Sequence, residues 1–472
     1  MIYMIIIIII IYSLSLYTYI YIYIYIYIYI YIYIYILACN IFFDKIYKSD
    51  RKLKIVNIQV KNSQTTPTHG KVVACYVATW AKYRLSYGKF TLNDLKPQYC
   101  THLIYAFAGL NTTTWEIQSL DRYADIEEDG IGNYRKMTAF RNRYPELKVS
   151  IAVGGWNEGS GNYSILASDQ KKRKSFVRSV SNFLRKYEFN GIDLDWEFPS
   201  QGDGKPEDKQ NFVLLVKELK EGLPDFIVTA AISPNKKIID EGYDIPKISR
   251  YLDYINIMAY DYHGLWDSKI FPNAPLYSND DASVNSTVSY LLQLGAPPEK
   301  LVLGLPMYGR TYISTENISP GKNPIGISSQ SEGFNGPYTC VNGTMGYNEI
   351  CEKLKDKTWS SGWDVVSKTP YAVNNNRVIM YDDHKSLREK VLYVNKMNLS
   401  GVMVWSIDTD DFHGNCEFQY ILMKSINRVF DNNNKQDEKE ENKTNGTSRT
   451  SSFYNILAVL CTIVSIFTLT SL

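Results

Sequence analysis

Eight short apolar runs constrain the fold more than any other feature of the chain. They occupy residues 72–78, 102–108, 149–154, 191–195, 226–232, 254–258, 301–305 and 401–405. Most are continuous rather than alternating, the pattern of parallel strands buried on both faces. Between several of them, as over 171–187 and 209–223, apolar positions recur at helical spacing. Eight strand–helix units close into an α/β fold of the (β/α)8 TIM barrel type; a doubly wound sheet is the other architecture such alternation permits. The gap between the seventh and eighth runs is too long for a loop, and residues 312–381 within it are rich in Gly, Asn, Ser and aromatics. A small α+β domain inserted between strands 7 and 8 is expected there.

The fourth run leads into Phe189-Asn190-Gly191-Ile192-Asp193-Leu194-Asp195-Trp196-Glu197-Phe198-Pro199. Side chains alternate along a strand, so Asp193, Asp195 and Glu197 share one face while Ile192, Leu194 and Trp196 share the other. Carboxyls spaced about 7 Å apart repel one another, and burial opposes their ionisation. Such a row shares protons and keeps at least one carboxyl protonated near neutral pH, the state a general acid needs. A solvated edge strand or a metal site can carry the same D-x-D-x-E string. The flanks favour burial: Gly191 permits close approach, Leu194 and Trp196 need covering, and Pro199 ends the pairing. The acids then sit at the C-terminal end of a buried strand, where barrel enzymes hold their chemistry. No His or Cys cluster has ligand spacing, so neither a metal nor another cofactor is expected.

Aromatic and polar residues crowd the other strand ends. Tyr76 to Trp80 lead off the first strand, Tyr105-Ala106-Phe107-Ala108 lies on the second, and Gly154-Gly155-Trp156-Asn157 follows the third. Met258-Ala259-Tyr260-Asp261-Tyr262-His263-Gly264 ends the sixth, Met307-Tyr308-Gly309-Arg310 follows the seventh, and Trp405-Ser406 closes the eighth. Core packing explains an aromatic inside a strand, but not one recurring at nearly every strand end beside a Gly or a charge. The flat apolar faces of pyranose rings stack on aromatic planes, so such a mouth suits a sugar-binding groove.

The acid stretch resembles the family 18 chitinase signature F-D-G-x-D-x-D-W-E-Y-P, departing from it at Asn190 and Phe198. The clusters at the other strand ends resemble their family counterparts as well, so the likeness runs from Val72 to Phe430. It implies a glycoside hydrolase that cleaves β-1,4 linkages between N-acetylglucosamine units, with chitin and chito-oligosaccharides as partners and internal cleavage as the expected mode. It also implies a retaining, substrate-assisted mechanism. Glu197 would protonate the glycosidic oxygen, and the substrate's acetamido oxygen would act as nucleophile. Asp195 would hold the acetamido N–H, with Asp193 exchanging a proton with it. Tyr260 and Asp261 match positions contacting the acetamido group and the distorted sugar, and Trp405 matches the floor of the cleaved subsite. Tyr308 and Arg310 match the side wall; Trp80, Trp156 and Trp266 match further stacking sites; Tyr76 and Met258 stand in matching clusters. His263 reads equally as a structural hydrogen bonder. A chitin-binding lectin or growth-factor-like member is the rival reading, and an endo-N-acetylglucosaminidase the second. Retention of Asp193, Asp195, Glu197 and Tyr260 argues against the first, the long aromatic cleft against the second. Asn190 stands at the first acidic position of the pattern; the lost charge, at what is read as the buried start of the strand, is expected to shift the acidic limb of the pH–rate profile.

The ends have a different character. Isoleucines fill 5–11 and Tyr and Ile alternate over 19–36, a strand-like low-complexity pattern such as a translated TATATA repeat would give. Residues 1–70 are therefore expected to lie outside the fold, with 71–430 as the catalytic barrel. Residues 431–452 form a polar linker, and 453–472 an uncharged hydrophobic tail matching a GPI-anchor signal, with a transmembrane tail as the alternative. Membrane attachment would run through that tail. With 51 Lys and Arg against 49 Asp and Glu, net charge +2, the chain has no nucleic-acid-binding excess. Setting aside Cys39 and Cys461, the family resemblance pairs Cys75 with Cys100 and Cys351 with Cys416, leaving Cys340. N-x-S/T sequons at Asn111, Asn162, Asn285, Asn317, Asn342 and Asn398, with Asn442 and Asn445 in the linker, fit an extracellular glycoprotein.

Overall fold

Each apolar run becomes a strand. The structure, a computed structural model, describes residues 66–128 and 130–431. In chain order its strands are β1 (Val72–Ala78), β2 (His102–Asn111), β3 (Glu116–Ser119), β4 (Lys148–Gly154), β5 (Gly191–Asp195), β6 (Ile227–Ile232), β7 (Tyr254–Ile257) and β8 (Leu301–Pro306). They are followed by β9 (Tyr308–Ile313), β10 (Thr344–Gly346), β11 (Ser360–Asp364), β12 (Thr369–Asn374), β13 (Arg377–Met380) and β14 (Gly401–Trp405). Strands β1, β2, β4, β5, β6, β7, β8 and β14 pair in parallel in that order, and β14 pairs back onto β1. The ring is closed, which excludes the doubly wound sheet. β3 pairs antiparallel with the far end of β2.

The alternation along each strand divides two cores. On β5, Ile192 and Leu194 join a large outer cluster with Phe176, Val180 and Leu184 of the helix Gln170–Tyr187 and with Phe212, Val216 and Leu219 of the helix Asp208–Gly222. Asp169 caps the first of these helices by accepting from the N–H groups of Lys171 and Lys172. Inside the barrel a separate cluster joins Tyr76, Ile104, Ala152, Ala231, Met258, Tyr260, Tyr308 and Met403. Small residues such as Ala152 and Ala231 leave the barrel centre open to the acid side chains of β5.

Between β8 and β14 the chain builds a second sheet, five strands in the order β10-β9-β13-β12-β11, all antiparallel. Its first strand in the chain starts at Tyr308, immediately beyond β8, rather than at about Tyr312, so Tyr308 and Arg310 belong to the insertion's root and not to a barrel loop. Where the chain returns, Lys390 and Asp382 form an ion pair with both side chains wholly buried. Cys351 and Cys416 form a disulfide with Cα atoms 5.9 Å apart, and Cys75 and Cys100 one with Cα atoms 6.0 Å apart; Cys340 is a free, exposed thiol. The extension through residue 65, the polar linker beyond Asp431 and the hydrophobic tail lie outside the described residues. Residues 66–70, expected to be outside the fold, do pack: His69 Nε2 lies 3.2 Å from Asn427 Oδ1, and its ring centroid 5.0 Å from that of Phe430. Among the described residues no helix is long and apolar enough to cross a membrane.

Candidate active site

The acid row begins with Asp193, wholly buried on β5. Three neighbouring strands aim donors at it: Tyr76 Oη at 2.6 Å from β1, Thr229 Oγ1 from β6, and Asn256 Nδ2 at 3.1 Å from β7. Asn256 Nδ2 also lies 3.1 Å from Tyr76 Oη, so one buried network spans the barrel interior. Burial pushes the Asp193 carboxyl above its ordinary pKa, and the three donors pull it back.

Asp195, one step toward the mouth, is in the opposite condition. Its Oδ1 is buried with no hydrogen-bond partner among the described residues. Burial, then the charges of Glu197 and Asp193, hold this carboxyl well above the usual carboxylate range. A buried acceptor left open inside a packed barrel is costly unless something else supplies the donor. No hydrogen bond links Asp193 to Asp195, so the proton exchange expected between them has no direct contact in this state.

Glu197 lies just beyond the end of β5 and is half-buried. Burial and, after it, the negative charge of Asp261 raise its pKa to about 7, against a weaker opposing hydrogen bond from the Trp156 backbone N–H. At neutral pH a large fraction of Glu197 carries a proton, and it loses that proton readily.

Asp261 is held by a set of contacts that only the folded chain brings together. Its Oδ1 accepts from Tyr308 Oη at 2.7 Å and Arg310 Nε at 2.9 Å, and lies 2.6 Å from Arg310 Nη2. Its backbone, at φ 56°, is fixed by its N–H donating to Asn273 Oδ1 at 3.1 Å. Tyr260 is buried beside Tyr308, ring centroids 6.1 Å apart, with its hydroxyl 3.9 Å from Met403 Sδ. Met258 is buried in the same cluster.

Two aromatic surfaces flank the acids. On one side Trp405, at the end of β14, packs edge-on against Tyr76 at 5.6 Å and stacks on Phe107 at 5.7 Å, while Trp80 lies 6.1 Å from both Phe107 and Trp405. On the other, Trp266 is 62% exposed with the Arg310 guanidinium 5.2 Å from its ring centroid. A Cβ at Gly264 would meet the Trp266 ring at 2.4 Å, so only glycine lets the indole lie where it does. Trp156 is 73% exposed, and its backbone N–H is hydrogen-bonded to Glu197.

The acids and the aromatic and polar residues singled out as catalytic or sugar-binding thus lie at or just inside the strand-C-terminal mouth. Sequence reasoning missed Thr229, Asn256 and Asn273; a polar residue inside an apolar run (I-V-T-A-A-I, Y-I-N-I) was the available signal for the first two. His263 Nδ1 lies 3.2 Å from Asp267, which also accepts the Gly264 N–H, so it shapes the Trp266 loop. The one close group of metal-ligand residue types among those described, Cys351, Asp411 and Cys416, is occupied by the disulfide.

Asn190 departs from its expected role. It is half-buried, not buried, and its Oδ1 accepts the Val149 N–H at 2.9 Å. It lines a cavity of about 550 Å³ at the opposite end of the barrel, with Arg135, Arg141, Lys148 and Glu188. Being one residue out of phase with Asp193 and Asp195, it faces away from the acid row. It also sits three residues below Asp193 and five below Asp195, about 10 Å and about 17 Å at 3.3–3.4 Å per residue. Its side-chain contact runs to β4 and not to the acid row, so a charge there acts on the acids only across that distance, and the acidic limb is expected to be little altered.

Comparison with known proteins agrees with this geometry. The family profile described as Glycosyl hydrolases family 18 matches residues 72–410. A Drosophila melanogaster protein named "Probable chitinase 2" is 50% identical over 381 residues, covering 78% of each chain. The "Endochitinase" of Manduca sexta is 34% identical over 376 residues, covering 75% of this chain and 67% of its own. The crystal structure of the Ostrinia furnacalis Group IV chitinase in complex with allosamidin is 40% identical, with a TM-score of 0.73 over 76% of this chain and 98% of that one.

Proposed function

The chain belongs to glycosyl hydrolase family 18 and is a chitin-hydrolysing enzyme, and from this premise we propose how its residues divide the work. The observation that carries the assignment is the placing of Glu197, whose pKa burial and Asp261 push up to about 7, one step above an open, buried Asp195 oxygen. Glu197 donates its proton to the glycosidic oxygen as the bond to the anomeric carbon breaks. The acetamido oxygen of the same sugar closes on that carbon, giving an oxazolinium ion and an ionised Glu197. Asp195 Oδ1 accepts the acetamido N–H, supplying the donor its buried oxygen lacks and fixing the nucleophile in line. The cationic ring is offset by the Asp195–Asp193 acids. Glu197 then takes a proton from water as the water opens the ring, restoring the acid and retaining configuration.

The remaining residues bind. Tyr260 and Asp261 hold the acetamido group and the distorted sugar, and Trp405 with Tyr76 and Met258 forms the floor. Tyr308 and Arg310 make the side wall, and Trp80, Trp156 and Trp266 stack sugars farther out. Exposed Trp156 and Trp266 on the rim suit a chain that runs past the acids on both sides, and so cleavage within a polymer. The two disulfides and the spread of sequons support an extracellular enzyme, and residues 453–472 would serve as its membrane or lipid-anchor signal.

Time-resolved NMR of chitin hexamer hydrolysis tests this scheme. The first product carries the β anomer, and an oligomer lacking its N-acetyl groups is not cut. Initial α anomer, or equal cleavage of the deacetylated oligomer, would overturn it.

A further inference from the structure

Trp80 stands on a short turn, Thr79–Tyr83, with little regular structure of its own, yet it is part of a three-ring surface whose other members sit on β2 and β14. Two tethers fix that turn. Thr79 Oγ1 donates to the Ala106 carbonyl at 2.8 Å, next to Phe107. On the other side Asp408, three residues past Trp405, reaches across: its Oδ1 accepts the Ala78 N–H at 3.0 Å, and its Oδ2 lies 2.7 Å from Arg84 Nη1. Arg84 Nη1 also reaches the Asp408 carbonyl at 3.4 Å. Asp408 is fully buried and the Arg84 side chain only 12% exposed. A pair this deep adds little to stability over an apolar pair of the same volume. It does tie the two loops together, because one guanidinium nitrogen, Nη1, lies against both the carboxylate and the carbonyl of Asp408 while the other carboxylate oxygen holds the Ala78 N–H.

We propose that Arg84 and Asp408 are positioning residues that hold Trp80 against Phe107 and Trp405, and so set affinity for the outer sugars of a long chain without touching the bond being cleaved. This rests on Trp80 being a sugar platform.

The test compares Arg84→Gln, Arg84→Lys and Trp80→Ala on a chitin hexamer and on a short chromogenic substrate that ends before Trp80. Arg84→Gln raises KM for the hexamer about five- to tenfold, on the scale of one aromatic contact, with kcat on the short substrate within about twofold. Arg84→Lys keeps a cation within reach of Asp408 and recovers the hexamer KM in part or in full. Trp80→Ala gives a similar KM rise, and Arg84→Gln combined with Trp80→Ala gives no more than either alone. Additive effects, an equal loss on both substrates, no recovery at all with Arg84→Lys, or an unchanged hexamer KM in Arg84→Gln would overturn the clamp. An unchanged hexamer KM in Trp80→Ala would instead remove the platform. If Arg84→Gln fails to fold because Asp408 is left unpaired, Arg84→Gln with Asp408→Asn restores a neutral pair and must show the same KM rise; a parental KM there also refutes the clamp.

Discussion

Asp261→Asn probes the electrostatics of Glu197 without touching it. After burial, the Asp261 charge is the next largest influence raising the Glu197 pKa to about 7. Asparagine keeps an acceptor for Tyr308 and Arg310 while adding one positive unit to the local charge. Because the Asp261 side chain is 38% exposed, solvent screens it, and an effective dielectric constant of about 40 is appropriate. For two carboxylates about 6 Å apart, the outer end of the range over which a neighbouring charge shifts a pKa, the interaction is 332/(40 × 6), roughly 1.4 kcal/mol, or about one pH unit. The sign follows from which form is helped: losing a neighbouring negative charge makes the Glu197 carboxylate easier to form, so its pKa falls. The general acid is protonated below that pKa, so the alkaline limb of kcat/KM, near pH 7 in the parent, moves to lower pH by about one unit. The assay is kcat/KM from pH 4 to 9 on a soluble N-acetylglucosamine oligomer. A limb that stays put, or moves to higher pH, would refute the coupling.

Asn190→Asp, by contrast, leaves both limbs of the same profile superimposed on the parent's, since residue 190 faces the far end of the barrel; a displaced acidic limb would show that the two ends communicate. Tyr76→Phe removes the 2.6 Å donor to buried Asp193 and lowers stability by about 1–2 kcal/mol in urea unfolding, with kcat falling more than KM rises. Lys390→Met strands a buried Asp382 carboxyl and costs about 3–5 kcal/mol, whereas Lys390→Met with Asp382→Leu recovers most of that loss, measured the same way.

The strands were legible because each is an unbroken apolar run, and the acid row because its period of two is written in consecutive residues. Parity also held the answer for Asn190: an even-numbered residue cannot share a face with Asp193 and Asp195. Reading the family pattern as one row of charges hid it. The wall was less accessible. Asp261, Tyr308 and Arg310 are separated in sequence by nearly fifty residues, and nothing local says that a strand rooted beyond β8 turns its side chains onto the loop beyond β7. Thr229 and Asn256 were visible as polar breaks in apolar runs, but only the ring closure shows that both face Asp193. The Arg84–Asp408 contact joins the two ends of the barrel sequence and has no local signature at all.

The account depends most on Glu197 as the proton donor, and Glu197→Gln measures that directly. The amide keeps the shape of the side chain and cannot ionise. Hydrolysis of the chitin hexamer should fall by about 10²–10⁴-fold while hexamer binding by calorimetry stays within a few-fold of the parent. Turnover within tenfold of the parent, with binding intact, would contradict it.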